Sequence, residues 1–157
     1  MTTIREYQGG DYRAIAEIFT RAVHEIACEV YTAEQCLAWS AREPNYGHWK
    51  KRCAGKRPFV SIIDAVISAF LELDADGHID CAYTHPTFKR RGVMSQLVRH
   101  AVAKCTSDGK ERVFTEASIC IRPLFEKLGF QTIAEHLVNI RGVKLLNYRM
   151  ELPLRAA

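Results

Sequence analysis

The chain has 157 residues, 48% of them hydrophobic and 25% charged, with 22 Lys and Arg against 18 Asp and Glu for a net charge of +4. That is enough for a single domain over 1–157 with a buried core, and too little for two. The modest positive charge suits an anionic ligand without marking a nucleic-acid surface, no apolar run is long enough to span a bilayer, and the N-terminal segment lacks the apolar stretch of an export signal, so a cytoplasmic protein is expected.

In chain order, Thr3 to Tyr7 reads as a first strand. Asp11 is placed to cap a helix whose apolar residues Ile15, Ile18, Phe19, Ala22, Val23 and Ile26 recur at helical spacing. Thr32 followed three residues later by Gln35 is a capping box, opening a helix through Trp39 that Pro44 closes off. Tyr46 to Cys53 is one more short helix. Phe59 to Ile63, Val66 to Leu73 and His78 to Thr84 then form an antiparallel meander, with turns at Asp64-Ala65 and Asp74 to Gly77.

A long helix follows Gly92 and runs to about Cys105. Arg112 to Glu116 is a strand, parallel to the one ending at Thr84 because a helix joins them. Pro123 fits the first turn of the next helix, which Gly129 ends, and Thr132 to Ile140 and Val143 to Leu152 make a C-terminal hairpin about Arg141-Gly142. The sum is an α+β fold: a mixed central sheet with an antiparallel meander, one parallel pair and a final hairpin, flanked by helices. Six cysteines without a C-x-x-C pair or an export signal read as thiols, with Cys28, Cys81, Cys105 and Cys120 in apolar, core-like patterns, and no paired Cys/His spacing suggests a metal.

The chemistry concentrates where the third meander strand meets the long helix. Lys89, Arg90 and Arg91 precede Gly92, and Val93, Met94 and Ser95 open the helix. A helix start offers free N–H groups and the positive end of its dipole, the three cations add formal charge, and Gly92 lets the backbone approach a ligand closely, so this turn is built to hold phosphate. It has neither the three glycines of the dinucleotide fingerprint nor the Gly-Lys-Ser/Thr of a Walker loop.

Residues 89–94 resemble the Gln/Arg-x-x-Gly-x-Gly/Ala segment of the GCN5-related N-acetyltransferases. Lys89 stands at the first position and Met94 at the last. Downstream, Phe125-Glu126-Lys127-Leu128-Gly129-Phe130 is similar to that family's closing Y-E-K-L-G-F signature, and the two motifs with their flanking elements cover essentially the whole chain. The resemblance implies acetyl-CoA as cosubstrate and no metal. Its pyrophosphate would lie on Lys89 to Ser95 and its pantetheine arm along Tyr83 and Thr84, with Ser118 and Phe125 at the positions that meet the thiol end. It also implies direct transfer to a primary amine, on a small molecule or a protein, in a ternary complex.

The family's usual proton donor, a tyrosine, is replaced here by Phe125. Tyr148 on the last strand is a substitute candidate, and Glu72, Asp80 and Glu116 are candidate bases on strands that line the expected cleft, with His24 and His85 as weaker ones. Tyr31, Trp39 and Trp49 fall in the helical region expected to shape the acceptor pocket, or else its core. The alternative reading is a non-catalytic acyl-CoA sensor, favoured by Phe125. Neither nucleic acid nor membrane is an expected partner, while the free edge of the last hairpin leaves room for a homodimer.

Overall fold

The computed structural model describes residues 2–154. Strand β1 (Thr2–Glu6) leads into helices α1 (Tyr12–Glu25), α2 (Ala33–Trp39) and α3 (Tyr46–Lys56). The meander β2 (Phe59–Ile63), β3 (Val66–Leu73) and β4 (His78–Thr84) follows, then α4 (Val93–Ser107), β5 (Arg112–Ser118), α5 (Arg122–Lys127), β6 (Gln131–Ile140) and β7 (Val143–Pro153). Single 3-10 turns at Ala27–Glu29 and Pro86–Phe88 are additions to the expected elements. The seven strands form one sheet in the order β1-β2-β3-β4-β5-β7-β6, antiparallel except for β4 with β5.

Local sequence accounts for the elements, with one exception among the caps. The capping box is present, Gln35 N–H donating to Thr32 Oγ1 at 3.1 Å and Thr32 N–H to Gln35 Oε1 at 2.9 Å. Asp11 does not cap α1 through its side chain. Its carboxylate instead accepts from Gln8 N–H at 2.8 Å and pairs with Arg5 at 2.7 Å, fastening β1 to the helix. Hairpin β6–β7 turns on Arg141 and Gly142, both at positive φ, the geometry that matches strand twist.

Two layers of helices cover the two sheet faces. Helices α4 and α5 pack Val93, Leu97, Val98, Ala101 and Phe125 on Ala69, Leu71, Ile79, Val113 and Ala117. Helices α1 and α3 pack Ile15, Ile18, Trp49 and Cys53 on Val60 and Phe70. The alternation of β3, with Ala69 and Leu71 on one face and Phe70 and Glu72 on the other, follows from the strand's period of two. Cys28, expected in the core, is exposed, whereas burial pushes the Cys53 thiol up to about 12 and leaves it inert.

The parallel pair is short, and that positions everything below. Strands β4 and β5 are in register only at His78–Phe114 and Ile79–Thr115. Beyond those two rungs Asp80 to Thr84 and Glu116 to Ser118 diverge, opening the sheet as a V. Gly77 sits at its apex with φ +93, and a Cβ there would collide with the Arg112 carbonyl oxygen, so only glycine lets the β3–β4 turn close against β5. A bulge in β4 makes Asp80 an extra residue, since Cys81 faces Glu72 while Ile79 faces Leu73.

Candidate active site

Two clefts meet at the V. The first, about 820 Å³, lies between the β4–α4 segment and the β5–α5 loop and is lined by Thr84, Lys89, Arg90, Gly92, Val93, Met94, Ser95 and Ser118. At its α4 end Gly92 is the N-cap with φ +76, and no side chain caps the helix, so the first-turn N–H groups keep their hydrogen-bonding capacity. A Cβ on Gly92 would meet nothing within 4 Å. The turn is therefore open toward the cleft, with Lys89 and Arg90 beside it, and its backbone donors, helix dipole and cations together fit a pyrophosphate. Arg91 does not join them: its guanidinium lies over the Phe88 ring at 5.3 Å.

The second cleft, about 760 Å³, is the open face of β5, β7 and β6 on the far side of the V. Alternation brings Phe114, Glu116 and Ser118 of β5, Asn147, Arg149 and Glu151 of β7, and His136 and Val138 of β6 to this face. The two clefts share Trp39, Ala82, Tyr83, Ser118 and Ile121, which mark the junction where one opens into the other.

Hydroxyl groups at the junction differ in what they have left to give. Tyr31 Oη donates to Leu146 O at 2.6 Å and accepts from Ile119 N–H at 2.9 Å. It takes the place of the rung that would follow Ser118–Asn147, where the β5–β7 ladder ends. Tyr83 Oη accepts from Trp39 Nε1 at 3.1 Å, and its own proton has no acceptor among the described residues. Burial raises the Tyr83 phenol well above its ordinary range, so it stays protonated as a donor.

The acidic candidates separate by position. Glu72 faces away from Leu71, as expected, but α3 closes over it. It is fully buried and held by Arg52 through two hydrogen bonds of 2.8 and 2.7 Å, and it lines neither cleft. Asp80 lines the second cleft, yet the bulge turns its carboxylate to Lys56 at 2.7 Å and Arg52 at 3.0 Å. Burial works to raise the Asp80 carboxyl, but the hydrogen bond and charge of Lys56 prevail and hold it below the ordinary range. These are structural ion pairs: both Glu72 oxygens are taken by Arg52, and Asp80 Oδ2 by Lys56 and Arg52.

Glu116 is different. It lines the second cleft and accepts one hydrogen bond, from His78 Nε2 at 2.7 Å. His78 Nδ1 reaches Asp74 at 3.2 Å, and the ring stacks on Phe114 at 4.9 Å. Burial would lower the His78 imidazolium, but the hydrogen bond and charge of Glu116, the hydrogen bond of Asp74 and the charge of Asp80 outweigh it and raise the group above its usual 6.5. Asp74 and Glu116 hold opposite nitrogens of one ring and do not converge on a point, and among the described residues no group of side chains is arranged to hold a metal ion. Sequence reasoning missed His78 because it closes a turn signal. Its place one residue inside the strand that pairs with β5 is the sign that could have found it.

Two further expectations are corrected. Tyr148 lies on the opposite face of β7 from Asn147 and Arg149, packs into the α4–α5 core with its ring under the Arg122 guanidinium at 4.0 Å, and lines neither cleft. Phe125 is fully buried, in edge contact with Phe130 at 4.9 Å, and reaches the floor of the second cleft rather than the first. His24 ties α1 to the end of α2 through Ser40 O at 2.8 Å, Trp49 is core, and His85 caps the 3-10 turn through Thr87 N–H.

A family model described as "Acetyltransferase (GNAT) domain" matches residues 28–152. An "Uncharacterized N-acetyltransferase YafP" of Escherichia coli (strain K12) is 33% identical over 147 residues, covering 94% of this chain and 93% of that protein. A GCN5-related N-acetyltransferase from Rhodopseudomonas palustris superposes with a TM-score of 0.91 at 25% identity, covering 98% of this chain and 96% of that one. The acetyltransferase yncA from Salmonella typhimurium, described as putative and solved with its cofactor acetyl-CoA, shares the fold with a TM-score of 0.72 at 20% identity, over 99% and 95% of the two chains.

Proposed function

The chain belongs to the GNAT acetyltransferase family, and from that premise we propose that it moves an acetyl group from acetyl-CoA to a primary amine by direct transfer in a ternary complex. The observation that carries this reading is the meeting of two clefts through the splayed β4–β5 pair: a phosphate-binding turn at the far end of one, and a carboxylate–imidazole pair in the other. In this reading Lys89, Arg90 and the first turn of α4 bind pyrophosphate, and the backbone of Tyr83 and Thr84 aligns the pantetheine arm. The amine enters from the β5–β7 side and attacks the thioester carbonyl at the junction.

The C–S bond breaks as the amide forms, the amine nitrogen loses a proton and the sulfur gains one. Glu116 is the group that receives the amine proton. A carboxylate alone holds a proton poorly at neutral pH, whereas one backed by an imidazole whose Nε2 is bare can pass it on to a ring that Glu116 and Asp74 make more basic than usual. Tyr83 offers the sulfur a proton from the junction, in place of the tyrosine that Phe125 displaces.

Calorimetric titration with acetyl-CoA, CoA and ATP tests the premise. Wild-type protein should bind both CoA species and not ATP, and Gly92→Asp should lose binding by at least about tenfold, an introduced carboxylate facing the pyrophosphate. A side chain at Gly92 meets no protein atom, and aspartate tolerates the left-handed backbone there (φ +76) at a cost of about 1–2 kcal/mol, so the variant should remain folded though less stable. Undiminished CoA binding by Gly92→Asp would overturn the assignment of this turn.

A further inference from the structure

Glu116 and Arg149 are directly opposed partners on adjacent antiparallel strands, with both side chains on the groove face. Such a pair is close enough to form a salt bridge. It does not: Glu116 is drawn to His78 at 2.7 Å. The other carboxylate flanking Arg149 on its own strand, Glu151, is taken by Arg112 at 3.2 Å. Asp80, the remaining acidic residue of the groove, is satisfied by Lys56 and Arg52. Arg149 is thus an exposed guanidinium in the groove with no ion-pair partner among the described residues.

We propose that the acceptor is an amine that also carries a carboxylate, its ammonium addressed by Glu116 and its carboxylate by the open fork of Arg149. This inference rests on the acetyl-transfer reading of the same groove. The charges are arranged as a divided pair. A cross-strand salt bridge would have neutralised both, and His78 keeps them apart, leaving one sign for each end of a zwitterion. The planar guanidinium matches a carboxylate with two parallel hydrogen bonds, which an amide cannot reproduce. Adjacent strands stand about 4.8 Å apart, so the two ends of the ligand are separated by a few atoms. That is the spacing in a free amino acid, or in a peptide N-terminus whose next side chain is acidic. Val138 and Leu145 on the groove wall favour an apolar body between or beside them.

The test uses acceptors of one skeleton: leucine, leucinamide, isopentylamine and the dipeptide Leu-Asp, with the rest of the amino acids each paired with its amide. Turnover with acetyl-CoA is measured beside equilibrium binding to the CoA-loaded protein, for wild type, Arg149→Gln and Arg149→Lys. The expected result is a preference of tenfold or more in kcat/KM for the best carboxylate over its amide. It should fall to within twofold in Arg149→Gln and recover in part in Arg149→Lys. Preference for the free acid or for Leu-Asp identifies the source of the carboxylate.

A wild type indifferent to the carboxylate, or a preference that survives Arg149→Gln, overturns the proposal while leaving acetyl transfer intact. Arg149-dependent binding of amino carboxylates without turnover supports the anion subsite and sinks the acetyl-transfer reading. Neither binding nor turnover across the panel overturns the subsite.

Discussion

At Glu116 one carboxylate oxygen is held by His78, which in turn is held by Asp74, so the group facing the groove stands at the front of a line of three hydrogen-bonded residues. This gives the pH dependence a definite sign. His78 has a folded-state pKa raised above 6.5, so its interactions stabilise the fold fully below the unfolded value and are lost as pH rises through the folded one. Activity should move the other way, since the imidazole must be neutral to take the proton on. We expect kcat/KM of the wild type to rise through an inflection above pH 6.5. His78→Gln should lower it by about 10- to 100-fold and remove that inflection, while the melting-temperature gap between the two proteins narrows with rising pH. An unchanged inflection in a folded His78→Gln would exclude the imidazole from the proton path. Glu72 shows the same rule in reverse. It was legible in sequence as a strand carboxylate facing away from Leu71, but no pattern in the chain says that α3 lays Arg52 across it.

Among the elements, boundaries and order were largely legible because each is punctuated locally: the Thr32–Gln35 box, the glycine before α4, Pro123 in the first turn of α5, and Arg141-Gly142 in the last hairpin. The bulge at Asp80 was not. It arises from the register between β3 and β4, and neither glycine nor proline announces it. Arg149 was passed over for a related reason. On β7 it is one exposed cation in an alternating strand, and its meaning comes from standing opposite Glu116. The β2–β3 turn carries a different local conflict. Asp64 and Ala65 sit at φ +50 and +65, a region costly for a residue with a Cβ, and Ala65 is exposed and packs on nothing that would be lost. Ala65→Gly should stabilise the protein by about 0.5–1 kcal/mol after the entropic cost of glycine, and raise Tm by about 2 °C. A melting temperature that is unchanged or lower would show that this turn stores no strain.

Over the whole molecule, the two clefts meet at Trp39, Ala82, Tyr83, Ser118 and Ile121, one leading to the α4 turn and the other running along β5, β7 and β6. On the proposed route both reactants are present together and no enzyme nucleophile carries the acetyl group. The thiol bordering the first cleft, Cys120, is pushed up by burial and is a poor nucleophile. Initial rates varied in both substrates should give intersecting double-reciprocal lines, and radiolabelled acetyl-CoA without amine should leave no label on the chain. Parallel lines with label on Cys120 would replace direct transfer by a two-step route.

The two-rung apex has a mechanical side. Strands β1 to β4 and β5 to β7 are panels joined within the sheet by the pairs His78–Phe114 and Ile79–Thr115, with Thr115 Oγ1 on Ile79 O at 2.9 Å and His78 Nε2 on Glu116 at 2.7 Å as added stitches and α4 lying across the seam. A sheet fastened at so narrow a hinge resists shear at one end and almost nothing at the other. Whatever extended chain fills the gap completes the missing rungs and acts as mortar between the panels. On the proposed route, stiffness of the sheet belongs to the loaded protein, supplied with each turnover and given up each time the spent thiol leaves.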